Sequence, residues 1–206
     1  MRLLLVRHGA TPNNIEARYT GQSDVELSAS GAYQAKLLGA RLAAETLDAI
    51  VSSDLSRTRA TARAIADYHG LPVWEDAELR EFALGEWEEV LYAEVKARYR
   101  ELLERWRSDP ENMAPPGGET GAQVRDRMMR ALDRWQKQYP KGSVLWVTHG
   151  GAIGILLCHL LGMSLSRRNQ FHISNVSITE LQLGEHYAIL KSFNDTAHLR
   201  DIDPVS

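Results

Sequence analysis

The amino-acid sequence predicts an α/β fold, a three-layer α/β/α sandwich built on a mostly parallel sheet. Continuous apolar runs such as residues 3–6 suit strands that are covered on both faces. These runs alternate along the chain with longer segments that have helical spacing, which is typical of strand–helix–strand units. Near the C-terminus, Gly184-Glu185 joins two apolar runs. This spacing predicts a hairpin, and therefore an antiparallel portion of the sheet.

The first half of the chain predicts three extended segments and two helices. The first helix begins near Ser28 or Ser30, because either side chain can cap it. The second helix is rich in alanine and is ended by Gly70. In chain order, the predicted segments are a strand at 3–6, a helix from 28 or 30, a strand at 49–51, a helix at 57–68 and an extended segment from 72.

The second half predicts one strongly charged amphipathic helix from about 90 to 107, ended by the break at Pro115–Gly118. The other predicted elements are a helix at 119–139, a strand at 143–148, a helix at 151–161, strands at 176–183 and 186–193, and a tail at 201–203. No repeat or linker divides the chain. We therefore expect residues 1–206 to form a single domain, in which residues 90–118 are a helical excursion forming part of a pocket mouth.

Composition excludes several classes of function. The net charge of -3 over 206 residues gives no general attraction to nucleic acid or to an anionic membrane. No apolar run approaches the ~20 residues that span a bilayer. The single cysteine, Cys158, excludes an internal disulfide framework and fits a reducing compartment. We expect a cytoplasmic protein without nucleic-acid or membrane partners, and a homodimer is compatible with the sequence.

Two of the predicted strands end in a histidine followed by a glycine. His8-Gly9 follows the first strand, and His149-Gly150 follows the strand at 143–148. Ligands of open α/β sheets bind beyond the carboxyl ends of the strands. Both histidines are therefore expected to face one crevice.

Arginines are predicted to lie at the same edge of the sheet. Arg7 precedes His8, and the strand at 49–51 runs through Ser52-Ser53 to Arg57 at the start of a helix. That helix N-terminus is a further candidate anion site. Two imidazoles, two guanidiniums and a helix end at one edge indicate a dianionic ligand.

These residues belong to segments that resemble a known family. Leu5–Gly9 resembles the signature of the histidine phosphatase superfamily, in its branch related to cofactor-dependent phosphoglycerate mutase. Five more segments are similar to family motifs and follow in the same order: Tyr19–Gln22 with Leu27, Ser28 and Gly31; Ser52–Arg57; Leu79–Glu81 with Gly85, Trp87 and Glu88; Pro116–Glu119; and Thr148–Gly150. The resemblance covers nearly the whole chain and implies a phosphoglycerate mutase-like fold.

The resemblance implies a role for each matched residue. His8 would be the nucleophile, with one ring nitrogen held by a backbone carbonyl. Glu81 would protonate the leaving oxygen and then activate water. The residues expected to bind phosphate oxygens are Arg7, Arg57, His149 and Asn14, and further substrate contacts are expected from Thr20, Gly21, Gln22 and Gly150. No metal and no cofactor are implied, because cationic and N–H donors stabilise the phosphoryl charge.

Two positions depart from the family pattern, and some other residues have plainer interpretations. Ala10 stands where many members carry glutamate, and Glu89 stands where glycine is usual. Asn14 could be only a turn residue. Arg167-Arg168 reads as a solvated surface pair, and the arginines at 98–107 read as a salt-bridged exposed face. Cys158 and His159 read as packing residues in an apolar helix.

The expected function is metal-independent hydrolysis of small phosphomonoesters through a phosphohistidine. A phosphoglycerate mutase is the first alternative, since it shares the first chemical step. Mutases of the family carry a longer excursion with extra basic residues, whereas Phe82 and Leu84 indicate an apolar mouth. An inactive module that binds phosphorylated ligands is the second alternative. The sequence does not select a particular phosphomonoester.

Overall fold

The computed structural model describes residues 1–185 and 187–200. His186, predicted as the first residue of the last strand, and the predicted tail lie outside the described residues. The strands are β1 (Arg2–Arg7), β2 (Ala49–Ser52), β3 (Val73–Glu75), β4 (Ser143–Thr148), β5 (Ile178–Leu183) and β6 (Ala188–Asp195). The helices are α1 (Pro12–Ile15), α2 (Ala29–Leu42), α3 (Ser56–Ala66), α4 (Tyr92–Arg98), α5 (Arg100–Ser108), α6 (Gly121–Gln138) and α7 (Gly150–Leu160), with 3₁₀ turns at Ala77–Leu79, Gly85–Trp87, Leu165–Gln170 and Ala197–Leu199.

One six-stranded sheet in the order β3-β2-β4-β1-β5-β6 forms the centre of the molecule. The pairs β1–β4, β2–β4 and β2–β3 are parallel, whereas β1–β5 and β5–β6 are antiparallel. This confirms the predicted mostly parallel sheet with a C-terminal hairpin. Because β1 and β4 are neighbours and parallel, the residues that follow them meet at one edge.

Helices cover both faces of the sheet. Leu3 and Leu5 of β1 point into the larger core with α4–α7, whereas Leu4 and Val6 point into the smaller core with α2 and α3. All four leucine and valine side chains are fully buried. Successive side chains of a strand point to opposite faces, so a strand covered on both faces has a continuous apolar run.

Helix ends follow the capping residues in the sequence. The Ser28 hydroxyl accepts a hydrogen bond from Gly31 N–H at 3.0 Å, so Ser28, rather than Ser30, caps α2. Thr120 caps α6 in a reciprocal capping box with Gln123. Such caps satisfy N–H groups that have no partner inside the helix.

The excursion contains two helices, so the prediction of one continuous helix at 90–107 was wrong. Tyr99 leaves the helical region with φ −124° and ψ 33°, between α4 and α5. Its ring packs against Trp87, with 5.9 Å between centroids. The break turns Trp106 of α5 onto Trp87 and Phe82 in the larger core. Tertiary aromatic packing therefore overrides the continuous helical periodicity of the charged residues.

The predicted salt-bridged face of the excursion is present. Glu94 accepts a hydrogen bond from Arg98, and Glu104 accepts one from Arg100, each across one helical turn on exposed surface. Among the described residues, no helix is long and apolar enough to cross a membrane.

Candidate active site

A cavity of about 350 Å³ opens at the carboxyl ends of β1 and β4. Every site residue expected from the sequence lines it except Gln22. The cavity contains Arg7, His8, Asn14, Thr20, Gly21, Arg57, Glu81, His149 and Gly150, together with Tyr19, Phe82, Leu84, Tyr92, Trp106, Gly151, Gly154, Arg168, Asn169, Phe171 and Ile173. We call Arg7, His8, Arg57 and His149 the floor, and Phe82, Leu84, Trp106 and Arg168 the mouth.

His8 is buried, with 5% of its surface exposed, directly after β1. Its Nδ1 lies 2.7 Å from the carbonyl oxygen of Gly9, so Nδ1–H donates to that carbonyl and Nε2 carries the lone pair. Burial lowers the pKa of His8 well below 6.5, and the charges of Arg57 and Arg7 lower it further. The ring is therefore neutral at neutral pH, with a free nitrogen available as a nucleophile.

His149 lies beside His8, with 5.2 Å between ring centroids. It is fully buried. Burial lowers its pKa well below 6.5, and the positive charge of Arg57 adds to this effect. Its Nε2 is 3.1 Å from the hydroxyl of Ser53, whereas Nδ1 has no partner among the described residues. Ser53 belongs to the serine pair noted in the sequence, but its contact with His149 could not be read from the motif.

Arg7 and Arg57 are held by backbone carbonyls. Arg57 donates to the carbonyls of Ser23 and Gly21, both at 2.7 Å, and Arg7 donates to Ile173 at 2.6 Å. In each side chain the buried Nε has no partner within the described chain. Burial lowers the pKa of both groups from their usual value. The guanidiniums are thus fixed in place, with an N–H left for a ligand.

Asn14 and Asn175 form a small amide network beside the nucleophile. Asn14 Oδ1 accepts from Thr11 N–H at 3.1 Å and from Asn175 Nδ2 at 3.2 Å. Asn175 Nδ2 also donates to the His8 carbonyl at 2.9 Å. Because the acceptor of Asn14 is occupied, its amide N–H groups are left for an anion. Asn175 was missed in the sequence, since 167 residues separate it from His8.

Glu81 lies at the N-terminus of α7. Its Oε1 accepts from Phe82 N–H and Ala152 N–H, both at 3.0 Å, and its Oε2 accepts from Gly151 N–H at 2.9 Å. A Cβ at Gly151 would lie 2.5 Å from Oε1. Only glycine at this position therefore lets the carboxylate approach the helix end.

Arg127 holds the backbone that carries Glu81, and nothing in the sequence singled it out. It donates to the carbonyls of Glu78, Arg80 and Glu81 at 2.6–2.8 Å. The Glu119 carboxylate binds the same guanidinium at 3.0 and 3.1 Å. Arg127 is buried on α6, so it fixes Glu81 from behind.

Gln22 lies behind the cavity wall instead of in it. Its side chain donates to the Glu81 carbonyl at 3.0 Å and to Glu119 at 3.3 Å. Its backbone N–H donates to Glu88, whose carboxylate also accepts from Leu84 N–H. The residue therefore supports Glu81 and the loop that contributes Gly21.

The N-terminus of α3 is occupied by a side chain of the protein, so its expected role as an anion site was wrong. Asp24 accepts from the N–H of Ser56 at 2.7 Å and from its hydroxyl at 2.8 Å. Burial alone would raise the pKa of Asp24, but these hydrogen bonds and Arg59 bring it below its ordinary value. A carboxylate that lies 32 residues away in the chain already accepts from the first N–H of this helix.

The two adjacent arginines after α7 have different environments. Arg167 is exposed, as expected of a surface residue, but Arg168 is only 5% exposed and lines the cavity. The prediction of a solvated pair was therefore wrong for Arg168. Its guanidinium lies 4.5 Å from the ring centroid of Trp106 and 5.8 Å from that of Phe82.

His159 also differs from expectation: it is exposed, whereas Cys158 is buried.

Within the described residues, no cluster of three or more histidine, cysteine or acidic side chains could hold a metal ion. The floor instead combines a nucleophilic imidazole with fixed N–H donors, and Glu81 is at its border. Enzymes that move phosphoryl groups through a histidine need this combination.

The chain belongs to the histidine phosphatase superfamily (branch 1), whose family model matches residues 3–196. It is 35% identical to phosphoserine phosphatase 1 of Hydrogenobacter thermophilus, over 97% of this chain and 94% of the relative. It is 36% identical to a probable phosphoglycerate mutase GpmB of Yersinia enterocolitica, over 97% and 95%. A solved structure of mycobacterial glucosyl-3-phosphoglycerate phosphatase with VO3 is similar at a TM-score of 0.88, with 31% identity over 95% of this chain and 99% of that one.

Proposed function

We propose that this protein hydrolyses small phosphate monoesters, with His8 as the nucleophile that carries the phosphoryl group. The observation that carries the proposal is the hydrogen bond from His8 Nδ1–H to the Gly9 carbonyl at 2.7 Å. It fixes the tautomer in which Nε2 has a lone pair. Burial and two arginines keep that lone pair free of a proton at neutral pH.

In the first half of the reaction, His8 Nε2 attacks phosphorus and the ester P–O bond breaks. The unpaired N–H groups of Arg7, Arg57 and Asn14 bind the equatorial oxygens, where the charge of the transition state is spread. Arginine suits this role because its planar fork stays charged and donates several hydrogen bonds. The Ser53 hydroxyl donates to His149 Nε2 and places the proton of that ring on Nδ1, as a further donor to phosphate.

Glu81 transfers the proton at its Oε2 atom. A carboxylate oxygen has about two lone-pair sites. Within residues 1–185 and 187–200, both sites of Oε1 are used by backbone N–H groups, whereas Oε2 accepts one such bond. The remaining site of Oε2 delivers a proton to the leaving ester oxygen.

In the second half, water attacks the phosphohistidine. Glu81 Oε2 takes a proton from the attacking water, the P–N bond breaks, and the bond electrons return to His8 Nε2. Inorganic phosphate leaves and the floor returns to its starting state. Neither half requires a metal, because guanidinium charges and amide N–H donors stabilise the charge of the transferring group.

The mouth bears on substrate size and on the mutase alternative. The names of the relatives include phosphatases for phosphoserine and glucosyl-3-phosphoglycerate, which supports a small phosphomonoester here. A mutase, as in the GpmB-like relative, must retain an intermediate that carries two phosphoryl groups. The mouth has aromatic and aliphatic walls with one guanidinium, Arg168. Such surroundings are poor for a second dianion, so we favour hydrolysis.

The test is to measure phosphate release and mutase turnover on the same preparation, with and without 2,3-bisphosphoglycerate. We expect release from a panel of phosphomonoesters, including an aryl phosphate, that survives EDTA and is inhibited by vanadate. Mutase turnover exceeding phosphate release would favour the mutase. No turnover of any ester would favour a binding module, and loss in EDTA with recovery in magnesium or zinc would contradict the metal-free mechanism.

For location, we propose the cytoplasm. The support is the single cysteine, Cys158, which is free and buried and therefore suits a reducing compartment. Localisation of a tagged full-length chain would test it.

A further inference from the structure

The mouth contains a buried cation that the phosphoryl chemistry does not use. Arg168 is on the 3₁₀ turn Leu165–Gln170, and its side chain lines the cavity although the residue is only 5% exposed. Burial lowers its pKa to about 10, so it remains charged at neutral pH.

This cation is not paired with a carboxylate in the part of the chain that the structure describes. Nη1 of Arg168 has no hydrogen-bond partner among the described residues, and Nη2 makes one long hydrogen bond, at 3.4 Å, to the Trp106 carbonyl. Glu81 acts on Arg168 only through its charge, because backbone N–H groups hold its carboxylate. An uncompensated buried charge is costly and is expected where a ligand completes the site.

A second orphaned donor lies beside it. The indole Nε1 of Trp106 is buried without a partner within the described residues, and Trp106 also lines the cavity. The Arg168 guanidinium lies against the Trp106 ring, with 4.5 Å to its centroid. A guanidinium stacked on an indole is held flat and retains its edge for hydrogen bonding.

The position of Arg168 fits the part of the substrate next to the ester. Glu81 meets the leaving oxygen, and the next residue, Phe82, has its ring 5.8 Å from the Arg168 guanidinium. Glu81 is held by Gly151 of α7, and Arg168 packs against Gly154 almost one turn further along the same helix, so both line neighbouring parts of the cavity.

We infer that Arg168 binds a carboxylate on the alcohol portion of the substrate, and that the preferred substrates are phosphate monoesters of small hydroxy acids. A carboxylate carries one negative charge and matches one guanidinium. A second phosphoryl group carries about two at neutral pH and would leave an unpaired charge among aromatic rings. The inference rests on the proposed phosphatase function and adds the substrate class.

The test compares two esters that differ only in the carboxylate, 3-phosphoglycerate and glycerol 3-phosphate. The wild-type protein should prefer 3-phosphoglycerate by roughly 10- to 100-fold in kcat/KM, the scale of one charge-assisted hydrogen bond. In Arg168→Met this ratio should fall toward one, because kcat/KM falls for 3-phosphoglycerate, which carries the carboxylate, and much less for glycerol 3-phosphate. Arg168→Lys should retain part of the preference, because the charge remains but the fork is lost. Arg167→Met is the matched control and should keep the full preference.

A purely structural role predicts different results. It would make Arg168→Met slow both esters alike and lower the midpoint of thermal unfolding. We expect a midpoint no lower than that of the wild type, because an unpaired buried cation is removed. Hydrolysis of p-nitrophenyl phosphate without any carboxylate preference in the wild type would overturn this inference alone. Absence of all hydrolysis would overturn the proposed function itself.

Discussion

The floor and the mouth of the cavity are built in different ways. Floor residues lie at or just after a strand end, or at the start of the helix after a strand, and each is fixed by hydrogen bonds to backbone or to a buried hydroxyl. Mouth residues come from the segment after Glu81, the second helix of the excursion and the turn after α7, and they meet mainly through ring contacts. The floor is thus shaped for one group, phosphate, whereas the mouth can vary with the alcohol that carries it.

Changes in the floor should therefore affect every ester alike, and changes in the mouth should alter the preference among esters. Two kinetic experiments test this division, and two stability measurements then examine the neutral histidines of the floor and the backbone at Glu89.

Removal of the nucleophile should have the largest effect. His8→Ala should abolish phosphate release from every ester, with a loss on the order of 10⁶-fold, as when the nucleophile of a hydrolase is deleted. A pulse of labelled substrate should leave acid-labile, base-stable label on the wild-type protein and none on the variant. Acid-stable label would indicate a serine, threonine or tyrosine ester and would exclude His8 as the acceptor.

Glu81 lies where floor and mouth meet, so its replacement should depend on the leaving group. Glu81→Gln should slow the first step of alkyl esters by roughly 10²- to 10⁴-fold and that of p-nitrophenyl phosphate far less, because nitrophenolate leaves without a proton. Burst-phase rates should be compared, so that attack by water is kept out of the measurement.

Arg57→Ala is the control for this experiment. It removes a floor residue that contacts the transferring group in both esters, so both should be slowed alike, by about 10³-fold or more. Equal first-step losses for the two esters in Glu81→Gln would show that Glu81 is not the acid for the leaving group.

The neutral histidines of the floor should make stability depend on pH. Burial and Arg57 hold the pKa values of His8 and His149 well below 6.5 in the folded protein. Below pH 6.5 the unfolded chain therefore binds more protons than the folded protein. As the pH is lowered, the free energy of unfolding decreases by up to about 1.4 kcal/mol per pH unit for each histidine. Urea denaturation between pH 7.5 and 5.5 in phosphate-free buffer measures this slope. His8→Asn and His149→Asn should each flatten it, and an unchanged slope in the double variant would contradict the buried-neutral assignment.

The smallest effect concerns Glu89, which lies just before the first helix of the excursion. This residue adopts φ 66°. Its N–H donates to the Tyr19 carbonyl, and its own carbonyl accepts from the Arg18 side chain. The left-handed region strains a side chain by roughly 1–2 kcal/mol, which explains why glycine is expected there. Glu89→Gly should raise the free energy of unfolding by up to about 1 kcal/mol, because the flexibility of glycine offsets part of the gain.

Glu86→Gly is the matched control for Glu89→Gly. Glu86 is a neighbouring glutamate on the 3₁₀ turn, outside the left-handed region, so glycine should destabilise there. Neither variant should alter the kinetics of p-nitrophenyl phosphate. A Glu89→Gly variant that is destabilised as much as Glu86→Gly would show that the backbone at Glu89 is not strained.

The sequence by itself determined the sheet and most of the floor. Continuous apolar runs mark strands covered on both faces, and the carboxyl ends of parallel strands meet at one edge. His8 and His149 therefore come together although 141 residues separate them, and the motif order adds Arg7, Arg57 and Glu81.

Only the tertiary structure decided the contacts that hold and complete this set. Asn175 beside His8, Arg127 behind Glu81 and Arg168 in the mouth depend on how loops and helices cross. The break at Tyr99 and the capping of α3 by Asp24 have the same origin. Local patterns determine which face of an element is buried, but which loop residues meet depends on packing between segments that are distant in the chain. For that reason one of two adjacent arginines lies at the surface and the other lines the cavity.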